Sequence, residues 1–310
     1  MLPAIFLPLR RGRLNARNAL HFHREKLSDH RSQRLNRKEF WGDIMTQLLR
    51  SLRSSAAPCV ILTLGIALSF PGLTRAQSVD EIISKNIQAH GGLEKIQAVK
   101  TMRSSGKVSF GSFQARFLQE NLRPDKVREE TIIQGLAQVQ AYDGKTGWQV
   151  NPFQGRKDAE LLSADDLKSL QEDSDIDGPL VDYKSKGHTA QLLGHDSVEG
   201  TDCYKVKLTL KNGDVRVYFF DADSFLELKI ESQNTIRGTV QYSETFYGDY
   251  EQVDGIYFPF EYQQGQKGSP DRAKFTVEKI ELNIPLADSL FSMPPSPPAK
   301  PAGGNPGGAQ

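Results

Sequence analysis

The residues whose spacing comes nearest to chemistry are Asp173-Ser174-Asp175-Ile176-Asp177-Gly178. Acids at positions 1, 3 and 5 with glycine at 6 reproduce the first half of a calcium loop, in which oxygen ligands wrap a hard cation. The second half departs from it: position 12, where a bidentate glutamate closes the shell, is Lys184, and position 7 is Pro179. The stretch therefore reads as a solvated acidic loop. Beyond residue 76 the histidines are His90, His188 and His195, none with an HxxH or CxxC partner of a zinc site. Ser104 and Lys107 imitate a serine–lysine nucleophile pair, and His195-Asp196-Ser197 collects the residue types of a catalytic triad. In a strand, residues three apart point to opposite faces and neighbours alternate, so neither set converges. No Gly-x-Ser-x-Gly elbow, P-loop or dinucleotide fingerprint occurs. The reading is a non-enzymatic protein with no cofactor and no metal site.

The elements that would position any site are mostly strands. Ser78 and Glu81 form a capping box for a first helix whose apolar face is Val79, Ile82, Ile83 and Ile87, and Gly91-Gly92 stop it. Leu93, Ile96 and Val99 mark a second short helix. Period-two alternation then takes over: Met102, Val108 and Phe110 share one parity, and Phe113, Ala115 and Phe117 repeat it. Tyr204 to Leu210 alternate with Lys205 and Lys207, Asn212-Gly213 turn the chain, and Val215, Val217 and Phe219 follow. Leu226, Leu228 and Ile230 alternate with Glu227, Lys229 and Glu231. Ile256, Phe258, Phe260 and Tyr262 form a further run, which Pro259 assigns to an edge or a bulge. Only Leu161 to Lys186 interrupts the pattern, as a polar helix capped by Ser163 and Asp166 and a loop broken at Gly178-Pro179. The runs predict about nine to eleven strands and two or three helices. The expected fold class is β-rich α+β, a strongly curved antiparallel sheet or open, incomplete barrel with a few helices covering the concave face.

The ends of the chain read differently from its middle. Residues 1–44 carry ten Lys or Arg against four acids and show no apolar periodicity, a composition expected to be a disordered basic leader. Residues 45–76 have the three regions of a secretory signal: Arg50 and Arg53, an apolar run from Cys59 to Phe70, and the small-residue site ending at Ala76. Met45 is the expected translation start, with cleavage near Ala76-Gln77 and a periplasmic destination. Residues 77–293 form one expected domain, and residues 294–310 a disordered Pro/Gly-rich tail. Beyond residue 76 there are 26 Lys and Arg against 34 Asp and Glu, a net charge of −8. Such a surface repels phosphate backbones, which excludes nucleic acid as the partner of the folded part. Cys203 is the one cysteine left there, so no internal disulfide can form.

What remains is an apolar surplus. Val108, Phe110, Phe117, Trp148, Leu208, Val217, Phe219, Leu228, Phe258 and Phe260 are the candidates for an apolar cavity on the sheet. Hiding a C16 tail there is worth about 10 kcal/mol, at about 0.8 per methylene. The closing segment Ile280-Glu281-Leu282-Asn283-Ile284-Pro285, continuing through Leu290-Phe291 to Pro294, resembles the end of the lipoprotein-sorting (LolA-like) superfamily. Val215 to Leu228, Tyr250 to Pro259 and Tyr142-Asp143-Gly144 to Trp148 look alike as well. The resemblance implies an open barrel with a helical lid. It implies a carrier that receives lipid or lipoprotein acyl chains from a membrane release complex and hands them to an acceptor. It also implies a lid-locking arginine, for which Arg116 and Arg128 are the candidates. The alternative is an exported sensor or protein-interaction module on the same fold, without lipid transfer.

Overall fold

The computed structural model describes residues 77–155 and 157–295. The basic leader, the signal-like segment and most of the tail lie outside these residues. Two helices open the described chain, α1 (Val79–Ala89) and α2 (Leu93–Ala98). The capping box forms as the sequence predicts: the Glu81 N–H donates to Ser78 Oγ at 3.2 Å and the Ser78 N–H to Glu81 Oε2 at 3.0 Å.

Six strands follow: β1 (Thr101–Phe110), β2 (Phe113–Leu122), β3 (Lys126–Ile133), β4 (Leu136–Tyr142), β5 (Gly147–Val150) and β6 (Glu160–Leu161). A third helix, α3 (Ala164–Ser174), is capped by Ser163 and begins a long connection. Seven more strands complete the chain: β7 (Thr189–Val198), β8 (Thr201–Thr209), β9 (Val215–Asp221), β10 (Glu227–Ile236), β11 (Thr239–Val253), β12 (Ile256–Gln266) and β13 (Arg272–Leu282). Thirteen strands exceed the nine to eleven expected because the 136–161 stretch, short and polar, forms three of them. They make one open antiparallel sheet in the order β6-β5-β4-β3-β2-β1-β13-β12-β11-β10-β9-β8-β7. Each half is a simple meander, and the pairing of β1 with β13 joins the halves.

The sheet curls around α3. Leu170 of α3 packs on Val127 of β3 and Tyr142 of β4, whereas Glu172, two residues on, bonds to Arg216 of β9. Seven strand spacings separate β3 from β9, about 34 Å in a flat sheet, and a single eleven-residue helix of about 16 Å reaches both. Only strong curvature brings these walls to the same helix. The concave face therefore carries the main core, with Val108, Phe117, Tyr262 and Phe275 at its centre; the last two rings stack at 4.5 Å. A second cluster lies under α1, where Ile82 and Ile83 meet Val206, Leu208, Tyr218 and Phe220.

Two local devices shape the site. At Pro259 the sheet splits: β12 pairs with β13 only from Glu261 to Gly265, so the proline sits where no ladder hydrogen bond to β13 is needed. The free edge beside it is taken by the end of α1, since the Tyr257 N–H donates to the His90 carbonyl at 2.9 Å. The turn after α1 fits against the β11–β12 hairpin at Gly91, whose φ is +123°. A Cβ there would lie 2.3 Å from the Gly255 carbonyl oxygen. We expect Gly91→Ala to destabilise the fold by about 2–4 kcal/mol, through left-handed strain plus displacement of the hairpin. A thermal melt should show a fall of roughly 5–12 °C; an unchanged melting temperature would show that the hairpin yields freely.

Candidate functional site

A cavity of about 100 Å³ lies between the concave face and the connection after β6. Its roof comes from α3 and the turn beyond it, through Ser169, Glu172, Asp173, Asp175 and Gly178-Pro179. Its floor is built by four strands: Arg216 and Tyr218 of β9, Glu227, Ile230 and Ser232 of β10, Thr245, Tyr247 and Tyr250 of β11, Pro259 and Gln264 of β12. His90, at the C-cap of α1, closes one end.

The cavity is lined by polar and aromatic groups more than by aliphatic ones. At the His90 end, His90 Nε2 lies 2.7 Å from Glu227 Oε2 and its Nδ1 lies 2.8 Å from the Tyr257 carbonyl oxygen. A carbonyl only accepts, so Nδ1 donates to it, and Nε2 is in hydrogen-bond contact with the carboxylate. Both ring nitrogens are thus committed, leaving His90 no lone pair with which to activate a hydroxyl. Burial alone would raise the Glu227 carboxyl; the charge and hydrogen bond of His90 outweigh it and hold this acid below its usual range. Tyr250 Oη donates to the Glu227 carbonyl at 2.9 Å. Glu227 Oε1 is buried and has no hydrogen-bond partner among the described residues.

At the other end, Arg216 Nε donates to Glu172 Oε1 at 2.9 Å and Nη2 to Oε2 at 2.5 Å, a forked pair between β9 and α3. The rest of the connection is tied down by ions as well. Arg123 forks onto Asp177 and also donates to the Ile96 carbonyl at 3.0 Å, while Lys186 bonds to Asp175 and to the Gly178 carbonyl. Asp175 and Asp177 of the calcium-like loop are spent on these contacts, and among the described residues no group of three His, Cys, Asp or Glu could hold a metal. Behind the roof, burial pushes the Glu129 carboxyl of β3 up to about 7. Burial, then the charges of Glu129 and Glu172, push Asp173 well above the ordinary carboxylate range.

The residues singled out from the sequence are distributed over both faces. Val108, Phe117 and Phe258 are buried together in the concave core with Phe260 at its margin, and Leu208 lies under α1. Phe258 lines a small recess beside the cavity, of about 20 Å³. Phe110 is half-buried at the β1–β2 turn. Val217, Phe219 and Leu228 occupy the convex face, packed with Cys203 and roofed by Lys205 and Lys229, whose Nζ atoms sit 5.0 and 5.2 Å from the Phe219 ring centre. Trp148 is convex too, its Nε1 donating to the Phe291 carbonyl at 2.8 Å. The reason is parity: β9 is apolar on both faces, and a bulge between Glu227 and Lys229 turns Leu228 outward and Glu227 inward. Arg116 is exposed and pairs with Glu278, and Arg128 pairs with Glu130 over the Trp148 ring. Neither meets the roof; Arg123 and Arg216 do. The long stretch of apolar alternation hid these two, although an arginine amid Val215, Val217 and Tyr218 was the available signal.

A family model described as an uncharacterized protein matches residues 173–294, under half of the chain. No curated protein matches. Among solved structures the chain is similar to a DUF1329 family protein from Desulfovibrio piger and to a LolA superfamily protein from Nitrosomonas europaea. Each is 13% identical, with 70% of this chain and 98% of that one covered and a TM-score of 0.49. It is similar more distantly to the Mycobacterium tuberculosis lipoprotein LppX, at 10% identity over 68% of this chain and 99% of that one, TM-score 0.28.

The protonation of Glu129 has a measurable sign. The native state holds this proton more tightly than the unfolded chain, whose glutamates titrate near 4.5, so the stabilisation is complete below that pH and is lost as the pH rises through about 7. Glu129→Gln, which mimics the protonated acid, should match the wild type near pH 4 and melt roughly 5 °C above it at pH 8. Parallel melting curves across that range would mean that Glu129 is ionised in the native protein.

Proposed function

We propose that this protein is an exported, non-catalytic carrier that shelters an acyl chain of a lipid or lipoprotein on the concave face of its sheet. In this reading the segment 45–76 directs export to the periplasm and the connection between β6 and β7 acts as the lid. The observation that carries the reading is the kind of contact made by that connection. Over the cavity it is held to the sheet by the Arg216–Glu172 fork, and further along by Arg123–Asp177, while Leu170, Ile176 and Leu180 anchor it in the apolar clusters of the sheet. Ion pairs at a partly wet boundary contribute little net stability and can be exchanged for water, so the polar contacts over the cavity yield more readily than the apolar anchors of the lid.

A cavity of about 100 Å³ is smaller than the 300 Å³ or more of typical ligand sites, so uptake requires the lid to rise. Lifting it would join the cavity to the recess lined by Ile96, Met102 and Phe258 and uncover the apolar centre of the sheet. Arg216 takes the latch role in this scheme. A membrane release complex as donor and an acceptor for the cargo are the partners it calls for.

The direct test is native mass spectrometry of the protein purified from a bacterial periplasm, with organic extraction and identification of the lipids. Co-purifying acyl lipid or lipoprotein, diminished when Phe258 is replaced by Asp in a still-folded protein, is the expected outcome. A folded protein that stays empty when offered lipids and lipoproteins would instead point to the interaction module. The latch has its own check: Glu172→Gln should weaken the fork by about 1–2 kcal/mol and speed amide exchange of residues 164–187 roughly tenfold, leaving β9 to β11 protected. Equal acceleration in the sheet and the lid would show global loosening and remove the latch.

A further inference from the structure

We infer that the cavity selects an uncharged amphiphile whose polar end donates hydrogen bonds, of the monoacylglycerol or acyl-amide class, with Glu227 as the acceptor. This rests on the carrier reading and adds to it the chemistry of the bound head group. Glu227 is 3% exposed and lines the cavity. Its Oε2 is occupied by His90, while Oε1 is left without a partner. A buried carboxylate oxygen is an expensive group to leave unfilled, and a hydroxyl or amide N–H of a ligand satisfies it with a charge-assisted bond.

The surrounding charges decide against an anionic head. Of the cations at the cavity, Arg216 is forked onto Glu172 and also donates to the Val215 carbonyl at 3.0 Å. Lys186, just behind the roof, is committed to Asp175 and the Gly178 carbonyl. His90 is engaged through both nitrogens. A carboxylate or phosphate entering would meet Glu227, Glu172 and Asp175, whose cations are already engaged, and would be buried with no free positive partner of its own. The Tyr218 and Tyr247 rings give the first carbons of the tail an apolar wall beside the acceptor.

The experiment is calorimetric titration of the delipidated full chain with three ligands that share one tail: 1-monododecanoylglycerol, dodecanoate and methyl dodecanoate. The first has donors and no charge, the second a negative charge, the third neither. The glyceride should bind at least about tenfold more tightly than either of the others, the factor expected of one charge-assisted hydrogen bond. Dodecanoate or the methyl ester binding within about threefold of the glyceride would overturn the head-group selectivity and leave the carrier reading standing. If none of the three binds, both fall. Glu227→Gln should cost the glyceride about tenfold and leave the methyl ester unchanged; an equal loss for both ligands would make Glu227 a packing residue and overturn its role. Should that variant fail to fold, the wild-type ratios decide alone.

Discussion

The two edges of the sheet are consecutive in the chain, and most of the architecture follows from that. β6 and β7 lie at opposite ends of a thirteen-strand order, twelve spacings or about 58 Å apart if the sheet were flat. Residues 162–188 must span that distance, and they do so as one helix and a tethered turn. Because a connection cannot thread the sheet, it crosses one face, and curling toward it shortens the journey. Curvature, the covered concave side and the roofed cavity are consequences of one connection.

That connection is also where the chain keeps its most unusual electrostatics. The convex face uses paired charges conventionally: Lys229 sits between Glu231 and Glu244, Arg272 joins Glu244, and their stems cover Phe219 and Phe246. On the concave side acids are buried with little compensation. Glu129 is without a partner for one oxygen, and Asp173 approaches it from the roof. The sheet and its cover thus meet over buried acids whose carboxyls are pushed up at one end and through an arginine fork at the other, two boundaries with different responses to pH and salt.

Much of this was legible in the sequence. The capping box at Ser78, the cap at Ser163, the period-two runs and the acidic interruption after Leu161 all specify their elements locally, so the fold class and the place of the interruption could be read directly. The site could not, for a physical reason. On β9 the odd positions Val215, Val217 and Phe219 and the even positions Tyr218 and Phe220 are both apolar, so alternation carries no information on which side faces inward. On β10 the bulge at Leu228 reverses parity at the start of the strand, and nothing in Glu227-Leu228-Lys229 announces it. Faces of a sheet are assigned by tertiary contact, and the partner of β9 and β10 is a helix more than forty residues away in the chain.

The split beside Pro259 gives the sheet a mechanical character. Five rungs, from Glu261 to Gly265, are all that join β12 to β13, whereas β1 and β2 share ten. The molecule thus resembles two stiff leaves bound along a short spine, one made of β1 to β6 with β13, the other of β7 to β12. Among the central junctions of the sheet this one has the fewest bonds to deform, so bending compliance concentrates there. The capacity of the enclosed space is then governed by the angle between the leaves, a single soft coordinate, with the packing inside each leaf left intact.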